Sequence, residues 1–335
     1  MKKTEEIPHI VYATDDKFAE ILGVSLVSLY KNSQNLNDIV VYILDSGISE
    51  ENKTLLSSVS KSYHYSAPVF IKAKNISDEL GMKISIDRGS LSQYARLFIS
   101  SILPQELHRV LYLDCDIIVN HSIKELWQID MNGKTIAALM DAFSRQYRKN
   151  IDLKPDDIMF NSGVMLIDLD QWKEKKVENR LLDFIVRKKG KIQQGDQGVL
   201  NHVLSDDIYC FDPKFNAVTI FFDFTYEEML RYRKPPAFYP KKLVADAFND
   251  PVIIHYTTSI FSKRPWIEGC KHKYVDKWLE CKAKSPWMDT PLWKDKRSGA
   301  KRMVSRFLNR CPKKISVGLA GVMQKYVRPF INSLK

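Results

Sequence analysis

Seven short apolar runs, rich in valine and isoleucine, recur through the first 257 residues and constrain the fold more than any other feature. Unbroken apolar runs of this length are typical of strands buried on both faces. Helical patterns lie between several of them, which favours an α/β protein with a mostly parallel, Rossmann-like sheet and flanking helices. The predicted strands are His9–Ala13, Ile39–Leu44, Pro68–Ala73, Arg109–Asp114, Thr135–Asp141, Gly163–Leu169 and Pro251–Thr257, and the predicted helices are Phe18–Lys31, Ser92–Leu103, Gln171–Lys188 and Asp196–Leu204. The segment Asp223–Asp250 is rich in charge, aromatic rings and proline, and is predicted to be mostly irregular.

The positive charge of the chain is concentrated at its C-terminal end. The chain has 51 Lys and Arg against 40 Asp and Glu, and residues 291–335 contain 12 of the basic residues and one of the acids. The first 290 residues are therefore electrically balanced, which argues against a basic nucleic-acid-binding groove on the body. We predict no nucleic-acid partner.

The tail over residues 276–335 is predicted to be helical and to lie on a membrane. Apolar residues recur there at helical spacing among lysines and arginines, with several tryptophans at or just before its start. Basic amphipathic helices of this kind suit an anionic bilayer surface. The alternative is a helix pair docked on the first domain, residues 1–275, with its charges in water.

The sequence contains no pattern that predicts secretion or a membrane span. The N-terminal segment MKKTEEIPHI lacks the apolar centre of a signal peptide, and no run approaches 18 apolar residues. Five cysteines without Cys-x-x-Cys spacing fit reduced thiols rather than disulfides or a zinc site. We therefore expect a cytoplasmic protein, held peripherally on the inner face of the plasma membrane by its tail.

Asp114 and Asp116 directly follow a predicted buried strand. Ligands of parallel sheets bind at the carboxyl ends of the strands. Two carboxylates at positions i and i+2 of an extended chain point the same way, and they suit Mg²⁺ or Mn²⁺ held against phosphate. An Asp-x-Asp pattern alone is common by chance, but a buried strand that runs straight into two acids is hard to explain as surface decoration.

Two further acidic positions carry a structural and a functional interpretation. Asp15 and Asp16 follow the first strand, where each is either a helix N-cap or a nucleotide contact. Asp196 opens a predicted helix and is a good N-cap, while the neighbouring Gln197 can hydrogen-bond a substrate without carrying charge.

Two other polar positions are equally open. Asn161 lies in an Asn-Ser-Gly segment before an apolar strand, where an ordinary turn is the simpler interpretation. His255 ends the last predicted strand and is either structural or a third metal ligand beside the two aspartates. Lys263 and Arg264 follow it, and a cation there can neutralise phosphate.

Taken in order, these segments resemble glycosyltransferase family 8, the group that contains bacterial lipopolysaccharide galactosyl- and glucosyltransferases. The matching stretches are IVYATDDKF, SQYARLFI, RVLYLDCDIIV, FNSGVMLIDLDQW, QGDQGVLN, FDPKFN, HYTT and KRPW, and they span Ile10 to Trp266. The resemblance implies a GT-A fold over residues 1–275, a retaining transfer, and a requirement for Mn²⁺ or Mg²⁺.

The resemblance also implies roles for particular residues. Those implied as metal ligands are Asp114, Asp116 and His255; those near the nucleotide are Thr14, Asp15, Lys17, Cys115, Lys263 and Arg264; those near the donor sugar are Arg96, Asn161, Asp196 and Gln197; and Asp141 is implied near the acceptor. The family usually has a lysine directly before Pro-Trp, where this chain has Arg264 preceded by Lys263. Either cation is therefore a candidate for the diphosphate.

The implied activity is transfer of glucose or galactose from UDP-glucose or UDP-galactose to an oligosaccharide or lipid-linked glycan. Gln197 and Asp196 are the candidate catalytic residues. Gln197 is a neutral amide and a poor nucleophile, so we favour attack by the acceptor hydroxyl on the face that UDP leaves, over a covalent intermediate on Asp196. The rival interpretations are a catalytically silent relative, a nucleic-acid- or membrane-binding protein, and a nucleotidyltransferase. The last is disfavoured because the chain has no Gly-rich phosphate loop.

Overall fold

The computed structural model describes residues 7–85 and 91–333, without the side chains of Ala300, Lys301 and Ser333. The strands are β1 (His9–Thr14), β2 (Val40–Asp45), β3 (Val69–Lys72), β4 (Arg109–Leu113), β5 (Ile117–Val119), β6 (Ile136–Met140), β7 (Phe160–Asp168), β8 (Ile208–Cys210), β9 (Ala217–Val218) and β10 (Ile253–His255). The predicted domain ranges include residues 1–6, 86–90 and 334–335, which lie outside the described residues.

Helices surround these strands. They are α1 (Ala19–Asn32), α2 (Glu50–Ser62), α3 (Ile76–Leu80), α4 (Ile99–Ile102), α5 (Lys124–Trp127), α6 (Arg145–Lys149), α7 (Leu169–Glu174), α8 (Val177–Arg187), α9 (Asp196–Leu204), α10 (Ile220–Asp223), α11 (Tyr226–Arg233), α12 (Lys241–Asn249), α13 (Val275–Lys282), α14 (Gly299–Arg310), α15 (Lys313–Val322) and α16 (Arg328–Ser333). Short 3₁₀ segments cover Asp16–Phe18, Leu91–Phe98 and Pro213–Asn216, and a π-helical turn, Met323–Val327, joins α15 to α16.

A seven-stranded sheet in the order β3-β2-β1-β4-β7-β6-β8 forms the centre of the molecule. Six of its strands run in one direction, and β7 runs against both of its neighbours, β4 and β6. Apolar cores cover both faces, so that Ile10 and Tyr12 contact one core while Val11, between them, contacts the other. The predicted mostly parallel α/β sheet is confirmed, and burial on both faces explains why its strands are unbroken apolar runs.

A smaller three-stranded sheet, in the order β5-β10-β9, lies beside the carboxyl end of β4. Strand β5 begins at Ile117, one residue after the Asp-Cys-Asp segment, and pairs with β10, so that His255 lies opposite Ile117. This antiparallel pairing places the end of β10 next to the two aspartates, although about 140 residues separate them in sequence. The topology therefore assembles the site from distant segments.

Three predictions of local structure were wrong. The segment predicted to be irregular, Asp223–Asp250, contains helices α11 and α12. The single helix predicted over Gln171–Lys188 is two helices, because Lys176 has a left-handed backbone with φ of 49°. The Asn-Ser-Gly segment is not a turn but the start of β7.

The tail forms helices, as predicted, and packs on the body. Leu308, Val317 and Ala320 are buried against the main core, while Asn150, which follows α6, donates to the carbonyl of Pro329 at 2.8 Å. Other tail residues keep large apolar side chains exposed, namely Met303, Val304, Phe307, Ile315, Leu319, Val322, Met323, Tyr326, Phe330 and Ile331. Among the described residues, no helix combines the length and apolarity needed to cross a membrane.

Candidate active site

A cleft of about 460 Å³ opens at the carboxyl ends of the parallel strands. All but one of the predicted site residues line it: Thr14, Asp15, Lys17, Arg96, Asp114, Cys115, Asp116, Asp141, Asn161, Asp196, Gln197, His255 and Arg264. The exception is Lys263, whose ammonium group donates to the carbonyl of Glu268 and lies 3.8 Å from a carboxylate oxygen of Asp295. Of the two neighbouring cations Lys263 and Arg264, Arg264 is the one that lines the cleft.

Asp114, Asp116 and His255 converge at the floor of this cleft. His255 Nε2 lies 3.2 Å from Asp116 Oδ1 and 3.8 Å from Asp114 Oδ2. One potential ligand atom from each of the three residues lies within 4.8 Å of the others. Two carboxylates and an imidazole form a donor set that suits a divalent cation.

A chain of hydrogen bonds behind His255 determines which of its ring nitrogens faces the aspartates. The backbone N–H of Gly163 donates to Asn161 Oδ1 at 3.0 Å, and so does Asn216 Nδ2, also at 3.0 Å. Asn216 Oδ1 must then face His255 Nδ1, 2.9 Å away, and that nitrogen must be the donor. In the neutral ring, Nε2 therefore points an unshared electron pair at two carboxylates, an arrangement that a bound cation stabilises.

Two of the three candidate ligands, His255 and Asp114, are packed closely against the backbone of β7 at Gly163. A β-carbon added at Gly163 would lie 2.2 Å from His255 Cε1 and 2.7 Å from Asp114 Oδ2. Only glycine leaves room for both side chains at this position. The close packing and the fixed imidazole fit a preformed metal site.

Arg96 connects Asp114 to Asp196. Its guanidinium lies 2.7 Å from Asp114 Oδ1 and 3.0 Å from Asp196 Oδ2, and it stacks on the Tyr112 ring at 4.2 Å. Burial raises the pKa of Asp196 to about 6, with Arg96 opposing that shift. The N-cap interpretation of Asp196 was wrong, because Gly195 occupies the N-cap position. The Asp196 side chain lines the cleft beside Arg96, and its contact with the donor sugar stays a prediction.

Arg264 belongs to the same network of charges. Its Nη2 lies 3.2 Å from Asp116 Oδ2 and 2.9 Å from Thr258 Oγ1. Burial raises the pKa of Asp116, but the positive charge of the neighbouring Arg264 opposes that shift most strongly, and the pKa is lowered to about 2. Asp116 is therefore ionised at neutral pH and available to a cation.

The end of β1 forms the wall of the cleft on the other side of the two aspartates. Asp15 caps the following 3₁₀ turn by accepting from the Phe18 N–H at 3.3 Å, and it also lines the cleft. Asp16 turns away and accepts from the Ser49 N–H and from Asn52 Nδ2. Of the two acids, Asp15 alone is placed to meet a ligand.

The opposite wall contains Asp141, Phe143, Gln194, Gln197 and Arg233. Gln197 Nε2 donates to Gln194 Oε1 at 3.1 Å, and Gln197 Oε1 accepts from the Ser162 N–H at 3.4 Å. These bonds hold the Gln197 amide at the surface of the cleft.

Several residues in and around the site were not singled out from the sequence, and three of them have an evident role. Asn216 fixes the imidazole, Arg233 lines the cleft, and Asp223 accepts hydrogen bonds from Ser259 and Ser262 in the loop that leads to Arg264. Asn216 ends the stretch FDPKFN, in which Asp212 caps a turn that begins at Pro213. That capping pattern was the one local signal that pointed to an ordered position there.

Comparison with known proteins points to one family. A model described as "Glycosyl transferase family 8" matches residues 9–269. General stress protein A of Bacillus subtilis strain 168 is 27% identical over 288 residues, which cover 85% of this chain and 96% of that protein. Lipopolysaccharide 1,2-glucosyltransferase of Escherichia coli K12 is 24% identical over 289 residues, or 85% of this chain and 80% of that enzyme.

Solved structures agree on the fold. A crystal structure of the galactosyltransferase LgtC in complex with donor and acceptor sugar analogues superposes with a TM-score of 0.68 at 24% identity. The match covers 83% of this chain and 96% of that one. The predicted GT-A fold is confirmed.

Proposed function

Because the chain belongs to glycosyl transferase family 8, we propose that it is a retaining, metal-dependent hexosyltransferase. The proposed donor is UDP-glucose or UDP-galactose, and the proposed acceptor is a saccharide of lipopolysaccharide or another surface glycan. The relatives named above, which include a lipopolysaccharide glucosyltransferase, support this class of acceptor.

The observation that carries the proposal is the convergence of Asp114, Asp116 and His255 in the cleft. A divalent cation held by them, Mn²⁺ or Mg²⁺, supplies Lewis-acid stabilisation of the UDP leaving group. Arg264 adds a positive charge at the same place, within 3.2 Å of Asp116. Asp15, Thr14, Lys17 and Cys115, on the β1 side, are the proposed nucleotide contacts.

The geometry around Asp196 supports attack by the acceptor hydroxyl on the face that UDP leaves. Asp196 forms an ion pair with the buried Arg96, and this pairing stabilises the carboxylate in its present position. A carboxylate stabilised in this way is a weaker nucleophile. Gln197 positions the sugar through its amide, and the departing phosphate takes the hydroxyl proton. A sugar ester trapped on Asp196 and detected by mass spectrometry would overturn this route in favour of a covalent intermediate.

UDP release by the purified chain tests the proposed function. The rate is measured with UDP-glucose, UDP-galactose and their N-acetylated and uronic counterparts, each with Mn²⁺, with Mg²⁺ and with EDTA. We expect metal-dependent release from a UDP-hexose, lost in EDTA. Failure of every donor to release UDP above the rate without protein would show instead a catalytically silent relative.

The exposed face of the tail supports a membrane-bound acceptor. The side chains of Met303, Phe307 and Phe330 are 58–68% exposed, which is uncommon for side chains of this size unless another surface covers them. Exposed cations lie among them, namely Arg302, Arg306, Arg310, Lys313 and Lys314. We propose that this face lies on the anionic inner surface of the plasma membrane, although the buried face of the same helices is docked on the body.

Vesicle binding tests the membrane proposal. Phe307→Ser with Phe330→Ser removes two apolar anchors without touching the buried face of the tail, and Val69→Ser is the matched control on the body. We expect the double variant to bind phosphatidylglycerol vesicles at least about tenfold more weakly, because each side chain contributes more than 1 kcal/mol when it enters a bilayer. Unchanged binding at equal thermal stability contradicts the proposal.

A further inference from the structure

The wall of the cleft that contains Asp141 and Phe143 also presents an arginine that the proposed chemistry does not use. Arg233 is the last residue of α11, and its guanidinium carbon lies 4.9 Å from the centre of the Phe143 ring and 5.4 Å from that of Tyr232. Phe143 is 3% exposed and Tyr232 is 8% exposed. The two rings hold the guanidinium in one orientation at the surface of the cleft.

Arg233 differs from the other arginines of the cleft in its partners. Arg96 and Arg264 are both paired with carboxylates, at 2.7 Å and 3.2 Å. Among the described residues, no carboxylate forms an ion pair with Arg233, whose Nε is buried without a hydrogen-bond partner. The Nε of Arg264 is also buried without a partner, but Asp116 balances the charge of that guanidinium. A buried donor without a partner costs free energy that an anionic ligand recovers.

The two glutamates of α11 do not neutralise the positive charge of Arg233. Glu227 is paired with Lys241 at 2.6 Å. Glu228 caps the start of its own helix through the Thr225 N–H and lies 3.5 Å from Lys313. Both acids lie at the opposite end of the helix from Arg233.

Helix α11 is also fixed from behind. The tail packs against it, with Lys325 Nζ donating to the Arg231 carbonyl at 2.9 Å and Lys234 Nζ donating to Tyr326 at 3.4 Å. A binding residue on a helix that is held by contacts with its neighbours keeps its position when no ligand is bound. The position of Arg233 is therefore set before any acceptor arrives.

We propose that Arg233 is a specificity-determining residue that binds an anionic group, a phosphate or a carboxylate, on the acceptor saccharide. This inference rests on the proposed function, since it assigns the chemical class of the acceptor for that same site. Under the proposed function, the donor diphosphate lies at the metal ligands and Arg264, so Arg233 remains for the other substrate. Asp141 on the same wall can accept hydrogen bonds from sugar hydroxyl groups, but its negative charge repels an anion. The positively charged Arg233 is therefore the residue of this wall that can bind a negative group of the acceptor.

Ligand binding to the full chain, saturated with diamagnetic Mg²⁺ and UDP so that the diphosphate site is filled, tests the inference. The probes are matched pairs that differ in one charged group: methyl glucoside with methyl glucuronide, and glucose with glucose 6-phosphate. Affinities are measured by ligand-observed NMR titration. We expect the anionic member of at least one pair to bind about tenfold or more tightly than its neutral partner, as a charge-assisted contact provides. A preference within the glucoside and glucuronide pair indicates that the site binds a carboxylate, and a preference within the glucose and glucose 6-phosphate pair indicates that it binds a phosphate.

Two variants separate recognition from structure. Arg233→Gln should abolish the preference for the anionic probe and leave binding of the neutral probe unchanged, and Arg233→Lys should keep part of the preference. The control is Arg231→Gln, which removes the same charge from an exposed position of the same helix. A preference that survives Arg233→Gln, or the absence of any preference in the unaltered chain, overturns the inference.

UDP release, measured in the same preparation, distinguishes failure of the inference about Arg233 from failure of the proposed function. If the unaltered chain releases UDP but shows no preference for the anionic probe, the role of Arg233 alone is rejected. Absence of UDP release from every donor rejects the proposed function, whichever probe binds.

Discussion

In the neutral ring, His255 faces the two aspartates with its unprotonated nitrogen. The reason is that a backbone N–H sets the orientation of the two side-chain amides behind the imidazole. The N–H of Gly163 fixes the Asn161 amide, which fixes Asn216, which in turn accepts from Nδ1 of the imidazole. A metal ligand whose second nitrogen is held in this way loses less entropy on binding and keeps the right tautomer. Asn216 is thus part of the site without touching the cation.

The first prediction concerns that support. Asn216→Leu removes the acceptor for Nδ1 and should weaken Mn²⁺ binding by about 10- to 100-fold, the usual effect of losing such a partner. Electron paramagnetic resonance of free Mn²⁺ measures the affinity directly. The matched control is Asn120→Leu, since Asn120 donates to the Pro251 carbonyl and does not line the cleft. Equal affinities of the two variants would contradict the role assigned to Asn216.

The second prediction concerns the carboxylates. Asp116→Asn keeps the shape of the side chain but removes a charge that is present at neutral pH, because its pKa is about 2. Since metal assistance supplies several kcal/mol, UDP release should fall by at least about a hundredfold. The rate is measured at saturating Mn²⁺, and thermal unfolding checks that the variant is folded. A rate within a factor of three of the original would remove Asp116 from the metal site.

At the scale of elements, the reversed strand β7 decides where the polar residues meet. Its first residues lie at the carboxyl end of the parallel strands because β7 runs against β4 and β6. Asn161 therefore reaches the same end of the sheet as Asp114, although one begins its strand and the other follows its strand. The apolar runs predicted β4, β6 and β7, but the direction of β7 depends on long-range pairing that no local pattern contains.

Other elements escaped prediction for local reasons. Helices α11 and α12 lie in a stretch whose charge, aromatic rings and prolines are typical of irregular structure, and tertiary packing overrides that tendency. One signal was present: Thr225 and Glu228 form a capping box at the start of α11. The Asp-x-Asp segment after a buried strand, by contrast, was visible in the sequence and locates the cleft.

The third prediction concerns the close packing of β7 against the metal ligands. Gly163→Ala places a methyl group 2.2 Å from His255 Cε1, so the imidazole must move away from the aspartates. We expect a loss of about 1–3 kcal/mol in the free energy of unfolding from overpacking, together with loss of detectable Mn²⁺ binding. Gly299→Ala is the control, because nothing lies within 4 Å of its added carbon. Retained Mn²⁺ affinity in Gly163→Ala would show that the ligands lie elsewhere.

At the scale of the whole molecule, the segments that follow β10 pack against the rest of the fold. His272 is 3% exposed and packs between the rings of Phe222 and Tyr256, with centres 4.9 Å and 4.8 Å away. Its Nδ1 accepts from the Tyr274 N–H, while its Nε2 is buried without a partner. The folded protein therefore holds this imidazole in its neutral form.

The fourth prediction follows from that burial, which lowers the pKa of His272 from 6.5 to about 4. The unfolded chain takes up this proton below pH 6.5 and the folded chain only below pH 4, so stability is lost as the pH falls through that window. The full loss from this group is about 3 kcal/mol. Urea unfolding at pH 7 and pH 4.5 should show a smaller loss for His272→Leu than for the unaltered chain. His108→Leu, at an exposed histidine, should behave like the unaltered chain.

Anomalous diffraction at the manganese edge, from crystals grown with Mn²⁺ and UDP, tests the central claim most directly. The account predicts one strong peak at the floor of the cleft, next to Asp114, Asp116 and His255 Nε2 and to the diphosphate. A peak at another place, or three side chains that point apart while UDP is bound, would contradict it.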